Sequence, residues 1–423
     1  MIDLPKKYLI VLTACAATLS IAACSEKLEA GRSCPLLCPQ QAVLLKDTTV
    51  DAVVTDTTIA GLPPIGNETF LMLASHGDTL ETRVIIRYDT LPQTYTKSTI
   101  DSTIVSIDTA MLVVPIGPDS THRATGPVTI EAYDVDTTAT DTVAAVLGPL
   151  FRPDRFLGSK TFSPESLLDT LRIPISRDTV LDRVTNGTRL RVGLRLVSTQ
   201  GFDLRIGSVE GGAATTLRIT ASTDTGATPV IVSPVSLTPV DQTFLSGPLA
   251  DYAIVLKGLS DNPPTLLAVG GVPSRRVYLR FDVPSRIVDS TTIVRASLQL
   301  TQVPNRRLDQ RDSVFIFPLA ILAAPVVTDI ASALLFVGPP GQFGMDSVRF
   351  APSDSGLRSF EIAGLVRTWR NQSTNVSPRT IALRSGAEAQ LPAEFDFFST
   401  RGPLGVRPRL RITYVPQTSY GIP

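Results

Sequence analysis

The chain reads twice, and this constrains its fold more than any other feature. Arg83-Val84-Ile85-Ile86-Arg87-Tyr88-Asp89 returns 193 positions later as Arg276-Val277-Tyr278-Leu279-Arg280-Phe281-Asp282. Phe202-Asp203 returns at the same shift as Phe395-Asp396, and Leu217-Arg218-Ile219-Thr220 as Leu410-Arg411-Ile412-Thr413. Three matches in one register mean two copies of one unit, because a long period overrides local secondary-structure signals. The expected divisions are a signal segment over 1–23, a tether over 24–43, a first repeat over 44–222, a linker over 223–231, a second repeat over 232–416 and a tail over 417–423. Each repeat is long enough to bury its own core.

Within each repeat the apolar residues alternate. Val277, Leu279 and Phe281 fall on one face of a strand and Arg276, Tyr278 and Arg280 on the other. The same pattern marks strands over Ile293–Leu300, Val314–Phe317, Thr380–Leu383 and Leu410–Tyr414. Thr, Val and Ile suit a pleated, half-buried surface. The 28 glycines and 33 prolines break the chain at intervals that fit short strands. The pattern predicts an all-β fold: two tandem antiparallel β-sandwiches of jelly-roll type, with one short helix each at most. The clearer helix runs from Ile362 to Arg370, where Ile362, Leu365, Val366 and Trp369 share a face, and Asn371 would end it. The weaker one covers Val180–Val184, ended by Asn186-Gly187.

The start of the chain carries a second message. Lys6 and Lys7 precede an apolar run over Tyr8–Ala23 that is too short and too rich in small residues to span a membrane stably. It ends Leu19-Ser20-Ile21-Ala22-Ala23-Cys24, which resembles the bacterial lipobox. That resemblance implies lipidation of Cys24 and a bacterial envelope location. Ser25 after it points to the outer membrane. Several acyl chains anchor a protein stably. Cleavage before Cys24 removes two lysines and one aspartate and leaves a formal net charge of −1. Near-neutral charge without basic blocks argues against nucleic acid as a partner. Two further cysteines, Cys34 and Cys38, fit a small disulfide loop in an oxidising envelope or a pair of free thiols. Redox chemistry fits less well, because such sites use a two-residue spacer, and zinc lacks further ligands nearby.

The second repeat resembles the DNRLRE family of carbohydrate-binding-type β-sandwich modules. The resemblance rests on Leu279-Arg280-Phe281-Asp282, Ala296-Ser297-Leu298-Gln299-Leu300, Val366-Arg367-Thr368-Trp369 and Pro408-Arg409-Leu410-Arg411-Ile412-Thr413-Tyr414, in that order across 265–416. Phe397-Phe398-Ser399-Thr400-Arg401 is similar to the family's penultimate strand without its Glu. The first repeat has Tyr88 where the second has Phe281 and lacks the Trp. The resemblance implies a β-sandwich found in surface lipoproteins and beside glycan-active enzymes. It transfers no binding residue, so the ligand-binding residues stay unknown at this level.

Trp369, the single tryptophan, offers either a sugar-stacking platform or a core side chain; its place on the apolar helical stripe favours the core. Arg87-Tyr88-Asp89 and Arg280-Phe281-Asp282 read as an outward arginine followed by a turn-capping aspartate. Asp recurs before Thr at Asp47, Asp56, Asp78, Asp89, Asp136 and Asp178, and Asp134 lies on one strand face with Asp136. Such oxygens suit calcium, but charged strand edges that block aggregation explain them as well. The two histidines, His76 and His122, fall in no catalytic or metal-ligating motif. The chain is therefore expected to have no catalytic residues, no metal ligands and no required cofactor, calcium being the one candidate. The expected function is a lipid-anchored, extracytoplasmic binding module that contacts polysaccharide. The alternative is an envelope assembly protein that binds a protein partner at a sheet edge.

Overall fold

The structure is a computed structural model. It describes residues 45–416 except 52, 62–65, 67, 98, 118–123, 140–141, 168–169, 224–225, 238–248, 306–312, 323–336 and 371–378. Cys24, Cys34, Cys38, His122, Asn371 and the expected signal, tether and tail therefore lie outside the described residues. Contacts divide the chain into two units, Met1–Lys46 and Asp47–Pro423, and the second holds the sandwiches. The class is all-β: among the described residues strand makes up 52% and helix 12%, and the strand registers are antiparallel.

The first sandwich has a large sheet of β3 (Phe70–His76), β4 (Leu80–Tyr88), β8 (Val128–Asp134), β9 (Phe156–Phe162), β11 (Leu190–Val197) and β12 (Phe202–Gly207). Facing it are β7 (Ile107–Pro115), β10 (Thr170–Pro174) and β13 (Thr216–Ala221), extended at the edge by β14 (Thr228–Val232). A small hairpin pairs β5 (Thr94–Lys97) with β6 (Ile100–Thr103). The second sandwich repeats the plan. Its larger layer has β16 (Leu266–Gly270), β17 (Ser274–Phe281), β19 (Val314–Ala320), β20 (Val348–Phe350), β22 (Thr380–Ser385) and β23 (Glu394–Phe398). Its second layer has β18 (Thr291–Val303), β21 (Gly356–Glu361) and β24 (Arg409–Pro416), with β1 (Lys46–Val50) beside β24. Unlike in the first sandwich, the two layers are one continuous 11-stranded sheet, because β18 pairs with β23 at Gln302–Phe397 and Val303–Asp396.

The registers agree across three strand pairs. Leu194 and Val192 lie opposite Val84 and Ile86 in the first sandwich, as Leu383 and Ile381 lie opposite Val277 and Leu279 in the second. Leu217 opposite Leu112 matches Leu410 opposite Leu298. Phe162 opposite Val128 matches Phe350 opposite Val314. Phe202 and Phe395 sit on the equivalent strands β12 and β23, both buried, but not in the same register: Phe395 lies opposite Val269, as Leu204 and not Phe202 lies opposite Leu73. Register holds because a one-residue slip would turn every core side chain to the wrong face. Each fully buried aliphatic side chain contributes roughly 1.5–3 kcal/mol, and each sandwich has its own cluster of them.

The helices close the ends of the sandwiches. Helices α1 (Ala144–Leu147) and α3 (Ser285–Val288) are single turns, shorter than a periodic pattern can reveal. Helix α2 (Arg177–Thr185) starts where the Ser176 hydroxyl accepts a hydrogen bond from the Thr179 amide, and ends at Asn186 and left-handed Gly187. Helix α4 (Ala363–Thr368) spans less than the expected Ile362–Arg370 and buries Leu365 and Val366, with Trp369 just beyond it at 1% exposure.

Two expectations need correction. The segment 223–231 is not simply a linker, because β14 pairs along β13 from Leu217–Val232 to Ala221–Thr228. The repeat boundaries also do not divide the sheets. Strand β2 (Val53–Gly61), early in the first repeat, pairs with β17 of the second sandwich from Gly61–Ser274 to Val53–Phe281. Strand β15 (Asp251–Lys257), early in the second repeat, pairs with β4 of the first. These are the same place in the fold: Ala253 and Asp251 face Val84 and Ile86, as Thr58 and Asp56 face Val277 and Leu279. Each repeat's leading strands thus complete the other repeat's sandwich. In chain terms, one sandwich is the continuous run 70–257, and the other is built from 46–61 and 266–416. A sequence repeat marks equivalent residues, but it does not say which of two equivalent seats a strand takes.

Candidate functional site

Alternation predicts that strand β17 is wet on one face. Instead seven of its eight residues are buried. On the face away from the core, Tyr278 packs with Ile59, Phe317, Leu319 and Ala382. Arg276 beside it donates from Nε and Nη2 to the two carboxylate oxygens of Glu388 at 2.7 and 2.6 Å. Burial opposes the Arg276 charge, but the Glu388 carboxylate outweighs it and raises the guanidinium pKa. A two-pronged guanidinium–carboxylate pair of this kind is strong and directional.

Its neighbour Arg275 forms the floor of a cleft. The Arg275 side chain is buried, bonds Glu394 through Nη1, and donates from Nη2 to the carbonyls of Leu259 and Ser260 at 2.8 and 3.0 Å. One wall is the loop 261–264 between β15 and β16. There Asn262 Nδ2 donates to Glu394 Oε1 at 3.1 Å and to Asp396 Oδ1 at 2.6 Å. Asn305 Nδ2 also donates to Glu394 Oε1, at 3.1 Å. The other wall is the exchanged strand β2, from Asp56 to Ala60. Asp56 Oδ2 accepts from the Thr400 amide and hydroxyl at 2.6 and 2.8 Å, and Thr58 Oγ1 accepts from the Ala268 amide at 3.0 Å. At the rim, Ser399 Oγ donates to the Pro264 carbonyl, while the Asp261 and Arg401 side chains stand in solvent. The cleft has a volume of about 400 Å³, within the range of small-molecule sites. Asn262 Oδ1, in its wall, is shielded from solvent and accepts no hydrogen bond among the described residues. A smaller polar groove of about 110 Å³ lies over β18 and β24, between Arg295, Gln299 and Arg411.

Among the described residues, the equivalent place in the first sandwich carries different groups. Thr82 stands where Arg275 stands and donates to the Met72 carbonyl at 2.7 Å; by strand register Asp203 stands where Glu394 stands, and it contacts His76 at 3.0 Å. What is buried there is Asp251, the counterpart of Asp56. Its Oδ2 accepts from the Val209 amide at 3.0 Å. Burial, then the Glu210 carboxylate, push its pKa up to about 8. Burial also raises the Glu210 carboxyl.

The residues singled out from sequence are spread over both sandwiches. Trp369 is a core side chain among Ile362, Leu365 and Val366. Asp282 is exposed, as a turn residue should be, and Arg280 is half-buried. Arg87 and Asp89 are corrected: Arg87 is wholly buried, and Asp89 bonds Arg87, Arg191 and the Leu237 amide at 3.2, 3.4 and 3.0 Å. Burial alone would raise the Asp89 carboxyl, but the amide and the two guanidinium groups hold it below the usual range. Asp134 is held by Arg183 at 2.7 Å and Asp136 by Arg189 at 2.8 Å. Among the described residues no group of three His, Cys, Asp or Glu side chains is placed to hold a metal ion. His76 contacts Asp203 at 3.0 Å.

Three of the Asp-Thr pairs share a role. Asp47 bonds Arg411 and fastens β1 to β24; Asp56 fastens β2 to Thr400; Asp78 meets Lys257 of β15 at 3.1 Å. All three sit on the seams where leading strands join the other sandwich. Their enrichment is visible in the sequence, but their partners are not. The cleft is invisible there because Arg275, Asn262, Glu394 and Asp56 come from four separate segments.

No family model matches the chain, and no curated protein matches it. Among solved structures, a chain of the T13 IBDV viral particle covers 89% of this chain and 74% of its own length at 8% identity, with a TM-score of 0.11. The infectious bursal disease virus VP2 subviral particle covers 89% and 77% at 9% identity, with a TM-score of 0.10. At these scores neither likeness bears on fold or function.

Proposed function

We propose that the chain is a lipid-anchored binding module of the bacterial outer membrane that contacts glycan through the β2–β17 cleft. The observation that carries this reading is the lining of the cleft. Carboxylates (Asp56, Asp261), guanidinium groups (Arg275, Arg401), an amide (Asn262) and a hydroxyl (Ser399) converge on one concave surface. Sugar hydroxyls each donate and accept, and planar carboxylate, amide and guanidinium groups engage adjacent hydroxyls in pairs. No aromatic ring lines the cleft among the described residues, so recognition rests on hydrogen bonds worth about 0.5–1.5 kcal/mol each. Four or five of them correspond to dissociation constants around the millimolar range. The anchor is supported by the segment ending in Cys24, its outer-membrane placement by Ser25, and membership of the DNRLRE-type modules by the motifs of the second repeat. Binding is taken to be the whole activity, with no reaction assigned.

The test is a glycan array probed with the purified full chain and with two variants at exposed positions, Asp261→Ala and Arg401→Ala. At least one glycan should give a signal that falls in both variants while the melting temperature is unchanged. No signal above background, or a signal indifferent to both substitutions, contradicts glycan binding in the cleft. The anchor has its own check: Cys24→Ser should move the protein from the membrane fraction to the soluble fraction.

A second reading, an envelope assembly protein joined at a sheet edge, is favoured by β14. It ends its sheet, and its Ile231 is exposed. Edge strands of this kind accept a partner strand. Ile231→Lys should abolish pull-down of an envelope protein under this reading and leave glycan binding intact under the first.

A further inference from the structure

The seat of β2 on β17 is filled from outside the run 266–416. Eight residue pairs hold it, from Gly61–Ser274 to Val53–Phe281, with Asp56 bonded to Thr400 and Thr58 to Ala268. Beside it, β1 lies along β24 with Asp47 bonded to Arg411. The donor strands are joined to the first sandwich through 62–69, and that sandwich is a continuous run with all its own strands. Nothing in these pairings depends on donor and seat belonging to one molecule. The seat of a second copy presents the same backbone groups and the same side chains.

We propose that β1 and β2 also close the second sandwich of another copy of this chain. The partner is therefore a second copy, and the interface is the one already present within the chain. Each copy has one donor and one seat at different places on its surface, so the contact is head-to-tail. It builds closed rings if the geometry returns on itself and open chains if it does not. Closure within one molecule competes through an effective concentration on the order of millimolar for a short connection. Exchange between copies therefore grows with local density, and with any event that empties the seat. Strand exchange of this kind does not require glycan binding.

Thr55 and Arg280 face each other across β2 and β17, Thr55 exposed and Arg280 half-buried. In a full chain whose native cysteines are replaced by serine, Thr55→Cys and Arg280→Cys are made together and separately. The double variant at low concentration should form a disulfide within one molecule. The two single variants, mixed, unfolded and refolded at high concentration, should form a disulfide-linked heterodimer. Its yield should exceed by about tenfold that of Thr55→Cys mixed with Arg172→Cys, an exposed position on the first sandwich, as expected for a specific seat against random collision. Circular dichroism of each single variant confirms that both fold. Equal yields with the control, or an internal disulfide in the double variant with no heterodimer at any concentration, overturn the proposal. So does failure of the double variant to form its internal disulfide.

Discussion

The two sandwiches share a backbone and differ in their polar seams. Their core pairs run in one register, from Val84–Leu194 and Val277–Leu383 to Leu112–Leu217 and Leu298–Leu410. At the seam with the exchanged strand they part. The first buries Asp251 near Glu210 and has Thr82 and Asp203 where the second has Arg275 and Glu394; the second adds Arg276 with Glu388, and the cleft. Apolar pairs on a pleated surface fix register together, so changing one disturbs its neighbours. A polar seam is less constrained, since any set of groups that satisfies the buried donors and acceptors will hold a strand. Function is therefore expected where the two copies differ, at the Arg275 cleft, and not where they agree.

The largest way to break the comparison is Trp369→Ala. Truncation of a buried Trp costs about 3–5 kcal/mol. The second sandwich should lose its stability together with β1 and β2, while the first, a continuous run, keeps its own transition in calorimetry. Loss of both transitions at one temperature would show that the first sandwich cannot stand without the second.

Next is Glu388→Ala, which strands a buried Arg276. Removing one partner of a buried pair costs about 3–5 kcal/mol. The matching change in the first sandwich, Glu81→Ala opposite Arg83 at 2.6 Å, should cost less, because Glu81 is 18% exposed and Glu388 only 4%. Chemical denaturation of the two variants compares them directly.

Asp251→Asn isolates the acid seam. The folded pKa of Asp251 is raised to about 8, above the unfolded value of about 3.9. Its contribution to stability is therefore full below about pH 4 and is lost as pH rises through about 8. The Asn variant keeps an acceptor for the Val209 amide and removes the buried charge. The melting temperature of the first sandwich should then vary less between pH 4 and 8 and should lie above wild type at pH 9. An unchanged pH profile would mean that Asp251 is not the group responsible.

The smallest effect is Asp56→Ala, which removes two hydrogen bonds to Thr400 and should cost roughly 1–3 kcal/mol. It should loosen β2 in hydrogen exchange and leave β15 unchanged.

The alternation of Val277, Leu279 and Phe281 predicts a core-facing strand, and the repeat predicts equivalent partners for Val84 and Val277. Both are legible because side-chain period and register are local properties of a sequence. Burial of Tyr278, Arg276 and Arg87 is not legible, because the cover on their outer faces comes from Ile59, Glu388 and Asp89 through tertiary contacts. The seat of β2 is hidden for a related reason. The two seats are equivalent in sequence, and only the assembled sheets decide between them. The cleft depends on that choice, since Asp56 forms its wall only when β2 lies on β17.

The most direct test of the strand exchange is amide hydrogen exchange on the Trp369→Ala chain, read strand by strand. Strand β2 should lose protection together with β17 and β22, while β15 stays protected with β4. If β15 instead loses protection with β17 while β2 stays protected with β4, each repeat keeps its own leading strand and the exchange is contradicted.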